Sequence, residues 1–118
     1  MEPEAAVLTV DVTRGAEADT IVTITGDLDL GSVATVIGAI DEIFAESSPS
    51  SPSSSPSPSS VTLDLAGITF LDSSGLGALL TLHARCQSEG IPFSAINPPA
   101  QVCRVLELTN LTEMFNFR

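Results

Sequence analysis

Apolar and polar positions change rhythm several times along this 118-residue chain, and each change predicts an element. Val7–Val12 and Ile21–Thr25 are rich in β-branched residues and flank a turn region, Thr13 to Asp19, that contains Gly15. That is the pattern of two antiparallel strands. Val33, Val36, Ile37, Ile40, Ile43 and Phe44 then recur at the three-to-four spacing that lines one helix face, with Gly31-Ser32 supplying the start. Val61-Thr62-Leu63-Asp64-Leu65 alternates as a strand, and a turn is expected around Ala66-Gly67 before Phe70-Leu71 leads into Asp72-Ser73-Ser74-Gly75. Leu76, Leu79, Leu80, His83 and Cys86 mark a second helix ending near Gly90. Pro92–Ile96 reads as a short strand, and Asn97-Pro98 as the cap and first position of a third helix carrying Val102, Val105 and Leu106. The Leu111–Phe117 segment fits neither period.

The order β-β-α-β-α-β-α predicts an α/β fold. Strand–helix–strand crossovers join parallel strands in a right-handed sense, so the expected architecture is a mixed, mainly parallel sheet with helices packed against it. One segment falls outside this scheme. Every residue from 47 to 60 is Ser or Pro, a composition that cannot bury apolar surface and favours extended, solvated chain. Neither flank could build a core alone. The tract is therefore expected to be a disordered loop inserted between the first helix and the third strand of a single domain spanning residues 1–118.

Charge narrows the partners. The net charge is -11, and the only basic side chains besides His83 are Arg14, Arg85, Arg104 and Arg118, scattered along the chain. Gripping a phosphate backbone means replacing condensed counterions with protein cations, so neither nucleic acid nor an anionic membrane is an expected partner. A protein with a basic face suits this chain better. Hydrophobic residues make up 43% of the sequence, enough for a core, and the apolar runs are too short to span a bilayer. Met1-Glu2-Pro3-Glu4 is acidic where a secretory signal would be basic and then apolar, which points to a cytoplasmic location. Cys86 and Cys103 lack the spacing of a disulfide framework or a metal site; they read as reduced, half-buried side chains, with a redox-sensitive bridge between two helices as the alternative. No metal or cofactor is expected.

In open α/β sheets, chemistry gathers where strands end and helices begin. Two such junctions stand out: Gly26-Asp27-Leu28-Asp29 after the second strand, and Asp72-Ser73-Ser74-Gly75-Leu76-Gly77 at the second helix. At the second, Asp72 or Ser73 can cap the helix, worth roughly 1 kcal/mol, but a cap alone does not call for two serines and two glycines. A phosphoryl group on a serine at the helix start would meet unpaired N–H donors and the positive end of the helix dipole, and glycines would let a kinase approach the backbone.

Leu63-Asp64-Leu65-Ala66-Gly67-Ile68-Thr69-Phe70-Leu71-Asp72-Ser73-Ser74-Gly75-Leu76-Gly77 resembles the signature of STAS domains, specifically bacterial anti-sigma factor antagonists. Gly26-Asp27-Leu28-Asp29 resembles that family's earlier Gly-acid-Leu-Asp motif, and the likeness runs from about Val7 to the Leu111 region in matching element order. The resemblance implies a protein that binds an anti-sigma factor, itself a serine kinase, and so frees a sigma factor for transcription. Phosphorylation of the first serine, Ser73, breaks the complex, and a serine phosphatase restores it. By the same likeness Asp27, Asp29, Asp72, Ser74, Gly75 and Leu76 lie on or near the partner-binding face. The Ser/Pro insertion departs from the family pattern, as does a C-terminus that falls soon after the third helix, where longer relatives continue into a terminal helix.

Enzymatic readings fail on specific residues. A hydrolase elbow needs Gly-x-Ser-x-Gly; Ser73 has no glycine two residues before it, and Ser74 has neither glycine. His83 sits on the same predicted helix rather than opposite the serine. Asp27, Asp29 and Asp72 could gather on magnesium as in a phosphoryl-accepting receiver, but the lysine that neutralises charge there has no counterpart here. No Gly-Lys-Ser/Thr marks a P-loop. The chain is thus expected not to be an enzyme, and the alternative to the antagonist is a STAS subunit docking on a membrane transporter or lipid-transport complex.

Overall fold

Alternation along the second strand decides which face of the sheet is covered. In the computed structural model, which describes residues 8–15, 19–45, 58–115 and 117, β1 (Thr9–Arg14) pairs antiparallel with β2 (Asp19–Leu28). On β2, Thr20, Val22, Ile24 and Leu28 are buried, while Ile21 and Thr25 point outward. β1 lies two residues further along than Val7–Val12 at the same length, whereas β2 is longer than its β-branched core and runs on through Gly26-Asp27-Leu28, so the first motif forms the end of a strand rather than a loop. The predicted turn region shrinks accordingly to the stretch between Arg14 and Asp19, where Gly15 N–H donates to the Asp19 carbonyl at 2.7 Å.

The chain then crosses through α1 (Val33–Ala45) to β3 (Ser60–Leu71), parallel to β2, and through α2 (Ser73–Glu89) to β4 (Phe93–Ile96), parallel to β3. The sheet order β1-β2-β3-β4 moves in one direction, so two right-handed crossovers place α1 and α2 on the same face. There Val36, Ile40, Ile43 and Phe44 of α1 and Leu79, Leu82 and Cys86 of α2 close over Val22, Ile24, Leu63 and Leu65. Arg85 ties the helices at the surface, its guanidinium 4.7 Å from the Phe44 ring centre and 3.6 Å from Asp41 Oδ1.

Two local expectations are corrected. The turn around Ala66-Gly67 does not exist; β3 continues through it. Between Thr23↔Asp64 and Thr25↔Gly67, β3 advances three residues to β2's two, and between Gly26↔Ile68 and Asp27↔Phe70 it advances two to one. Both extra residues are bulges in β3, and the glycine marks a close approach: a Cβ on Gly67 would stand 2.7 Å from Thr25 Oγ1. The third helix, α3 (Ala100–Leu108), starts two residues later than its sequence signal, with Pro99 as N-cap. Pro98 itself precedes a proline, which disfavours helical dihedrals at Pro98, and Asn97 adopts φ 57° instead. Val102 and Leu106 are buried as expected, and Val105 partly so. The segment of undecided period becomes a 3-10 turn, Thr112–Phe115, whose Phe115 is fully buried, followed by a bridge from Phe117 to Ala95.

The Ser/Pro tract lies outside the described residues except at its end. Ser60 is the first residue of β3, and the Ser59 and Ser60 hydroxyls both donate to Asp19 Oδ1, at 2.9 and 2.8 Å, pinning the start of β3 to the start of β2. Replacing residues 47–57 with a short Gly/Ser linker is expected to leave unfolding cooperative and within about 1 kcal/mol of the parent in urea titration, because loop-closure cost grows slowly with length.

Candidate functional site

The parallel strands β2 and β3 end side by side, and this brings the two sequence motifs together. Leu28 pairs with Leu71, and the Asp72 N–H donates to the Leu28 carbonyl at 3.3 Å. Asp72 is the N-cap of α2 with extended backbone, and its carboxylate serves two segments. Oδ1 accepts from Gly75 N–H at 2.9 Å, which satisfies a first-turn donor of α2; Oδ2 accepts from Leu30 N–H at 3.3 Å, which ties down the loop leaving β2. Of the two capping candidates in the sequence, the structure gives the role to Asp72 and leaves Ser73 as the first, exposed residue of the helix.

The loop after β2 is itself tightly bonded. Asp29 N–H donates to Ser32 Oγ at 3.1 Å, Ser32 N–H to Asp29 Oδ1 at 3.2 Å, and the Ser32 hydroxyl to the Asp27 carbonyl at 2.8 Å. Ser32 was legible only as part of a helix start, yet it is the hub of this turn. Asp27 projects from the other side of the strand, where the Thr69 hydroxyl donates to its carboxylate at 2.5 Å. Thr69 is the extra residue of the second bulge in β3, a position that no sequence period could flag.

Six residues were grouped with Ser73, and the structure sorts them by depth. Asp27, Asp29, Asp72 and Ser74 are half-buried. Gly75 and Leu76 are buried. A Cβ on Gly75 would lie 2.3 Å from the Leu28 carbonyl oxygen, so this glycine lets the first turn of α2 sit directly on the end of β2. Gly77 is different: it is exposed, and a Cβ there would meet nothing within 4 Å. The two glycines of the motif therefore have unrelated roles, a distinction that spacing alone does not contain.

The cysteines stand apart from this junction. Both are free thiols; Cys86 is fully buried in α2, and Cys103 is half-buried in α3. Burial pushes the Cys86 thiol from its ordinary value of 9.0 up to about 11, against a smaller downward pull from Arg85. A protonated, sealed thiol is a poor nucleophile. In the native protein near pH 7.5, iodoacetamide is expected to label Cys103 and to reach Cys86 only after denaturation. Rapid native labelling of both, or a disulfide formed on mild oxidation, would revive the bridge between the helices. The sign of the linkage also follows: the unfolded chain loses this proton first, so the thiol's contribution to stability is intact below about 9 and declines between about 9 and 11.

Among the described residues, no group of three or more His, Cys, Asp or Glu side chains could hold a metal ion, and no helix is long and apolar enough to cross a membrane. The structure resembles that of an anti-sigma factor antagonist from Mycobacterium paratuberculosis, with a TM-score of 0.75 and 23% identity over 93% of this chain and 84% of the other. It also resembles the phosphorylated form of the Bacillus cell fate determinant SpoIIAA, with a TM-score of 0.67 and 16% identity over 93% and 91%. A sulfate transporter family protein from Wolinella succinogenes shares the fold as well, at 0.64 and 16% over 89% and 80%. At these identities the likeness establishes architecture. The model of the STAS domain matches residues 8–118, nearly the whole chain and both junction motifs, and the chain belongs to the STAS domain family.

Proposed function

We propose that this chain is a cytoplasmic anti-sigma factor antagonist that works by binding rather than catalysis. It binds an anti-sigma factor that is also a serine kinase and thereby releases a sigma factor; phosphorylation at Ser73 switches it off, and a serine phosphatase resets it. The observation that carries this reading is the position of Ser73: exposed, first in a 17-residue helix, and set at a junction where Asp72 locks the helix start to the loop after β2. A hydroxyl there is open to a kinase, and the helix N-terminus stabilises the phosphate it would receive. The acidic chain suits a basic partner face. Asp27, Asp29, Asp72 and Ser74 form the surface around the hydroxyl, with Gly75 and Leu76 supporting it from below.

A STAS subunit that docks on a transporter is the second reading, supported by the shared fold with the sulfate transporter family protein. Fold does not separate the two, but a scaffold has less need of an exposed serine at this junction. The separating experiment incubates the protein with ATP and, in turn, each purified serine-kinase anti-sigma factor encoded in the source genome, followed by mass spectrometry. Phosphate on Ser73 is the expected outcome. Phosphate confined to Ser74 or to the Ser/Pro tract, or none with any kinase, sinks the reading.

A further inference from the structure

We propose that Thr69 is a positioning residue for partner recognition: its hydroxyl fixes the Asp27 carboxylate in the orientation in which the basic face of the anti-sigma kinase meets it. This rests on the function proposed above and deepens it with a residue to which the motif resemblance gave no role.

The carboxylates of the two motifs differ in what holds them. Asp72 uses both oxygens inside the protein, on the N–H groups of Gly75 and Leu30, and Asp29 is engaged by the N–H and hydroxyl of Ser32 within its own turn. Asp27 is held from the neighbouring strand. The Thr69 hydroxyl donates to its Oδ1, and among the described residues no other donor reaches this carboxylate, which leaves Oδ2 for a donor from outside. An aspartate carboxylate otherwise turns readily about its last torsion, whose profile is broad and two-fold. A charge-assisted bond from a fixed hydroxyl removes that freedom before the partner arrives, so the complex does not have to supply the ordering.

Thr69 reaches Asp27 through the second bulge. Gly26 pairs with Ile68 and Asp27 with Phe70, so Thr69 and Phe70 together oppose Asp27 on β2. A bulge gives up regular pairing and re-aims a side chain. Part of its use here is structural, because it brings Leu71 into register with Leu28, where both are buried. That accounts for the extra residue and does not call for a hydroxyl on it, since Thr69 itself is exposed. The backbone ahead of the bulge is pinned from another element: Gln101 Nε2 of α3 donates to the Ile68 carbonyl at 3.3 Å. Beyond it the ladder resumes at Asp27 and Phe70 and at Leu28 and Leu71, and the Leu28 carbonyl takes the Asp72 N–H. Thr69 thus stands on a backbone held from both sides, one strand pair away from the start of α2.

The test uses the anti-sigma kinase that phosphorylates Ser73 and measures KM and kcat for that reaction, with melting temperatures alongside. Thr69→Val removes the hydroxyl at nearly constant volume. It is expected to raise KM roughly five- to tenfold with kcat unchanged, the pattern of binding weakened equally in the ground and transition states. Valine suits a strand, so its melting temperature should stay near the parent's and the loss is one of contact rather than of fold. Thr69→Ser keeps the hydroxyl and should keep the parent's KM. Asp27→Asn should raise KM at least as far as Thr69→Val, and adding Thr69→Val to it should cost roughly twofold at most, because Thr69 acts through Asp27. A parent-level KM for Thr69→Val or for Asp27→Asn overturns the inference while the proposed function stands. So does a Thr69→Ser protein that behaves like Thr69→Val, or a Thr69→Val effect that adds in full to that of Asp27→Asn. If no kinase phosphorylates the parent at Ser73, the function and this inference fall together.

Discussion

Ser73→Asp should lower affinity for the anti-sigma partner by more than a thousandfold while leaving the melting temperature close to that of the parent. Phosphorylation adds roughly -1.5 to -2 charge, and the aspartate imitates part of it. Inside this protein the charge is well placed. Gly75 N–H is taken by Asp72 Oδ1 and Leu76 N–H by the Asp72 carbonyl, so Ser73 and Ser74 supply the first-turn donors that have no carbonyl partner within the helix. Those donors and the positive end of α2 stabilise an anion at this position. Ser73 is also exposed, so the folded state need not bury the charge. The complex must. A partner surface fitted around a neutral hydroxyl gains an unpaired anion at its centre, at a cost of several kcal/mol, and about 4 kcal/mol already corresponds to a thousandfold. Ser73→Ala keeps the neutral surface and is expected to bind and to resist phosphorylation. Ser74→Ala should still accept phosphate at Ser73. Calorimetric titration of the four proteins with the cognate anti-sigma factor, paired with thermal melts, separates loss of contact from loss of fold. A Ser73→Asp protein that binds like the parent would remove Ser73 from the interface.

Much of this architecture was legible because it rests on period. The α1 positions that recur at helical spacing are the ones that face the sheet, with Val36, Ile40, Ile43 and Phe44 buried and Val33 and Ile37 partly so. Strand–helix–strand order implied the parallel pairs, and the sheet contains them. The errors share a cause: glycine and proline were taken as local punctuation where their role came from a neighbour. Gly67 suggested a turn, but it lies inside a bulged strand because Thr25 on β2 leaves no room for a Cβ. Asn97-Pro98 looked like a helix start, and Pro99 moved that start along the chain. Asp72, Asp27 and Asp29 could be named from the motifs. The bonds of Asp72 to Leu30 and of Asp27 to Thr69 could not, because those contacts exist only after β2 and β3 have been laid side by side; the Asp29–Ser32 pair is a local turn that the helix-start reading of Ser32 passed over. The separation of Gly75 from Gly77 is the plainest case, since two residues of one motif are distinguished only by what each Cβ would meet.

That separation yields the largest expected effect on stability. Gly75→Ala should destabilise the domain by about 2–3 kcal/mol, within the range for forcing a methyl group into a filled site. The new Cβ would stand 2.3 Å from the Leu28 carbonyl oxygen and 2.7 Å from Leu28 Cγ, separations that real Cβ atoms do not adopt. Neither obstacle can yield alone. The carbonyl is part of the β2 backbone and accepts the Asp72 N–H, and the Leu28 side chain is fully buried. The first turn of α2 must therefore lift off the strand, which stretches the Asp72 bonds to Leu28 and Leu30 together. Alanine's better helix propensity returns at most about 1 kcal/mol and does not offset this. For a domain of this size the melting temperature should fall by roughly 10 °C, followed by circular dichroism at 222 nm. Affinity for the partner should fall as well. Gly75→Ala loses binding because the helix that carries Ser73 has moved, so its loss is accompanied by a lower melting temperature. A Gly75→Ala protein that melts with the parent would mean that α2 does not rest on the Leu28 carbonyl, and the geometry that presents Ser73 would have to be redrawn.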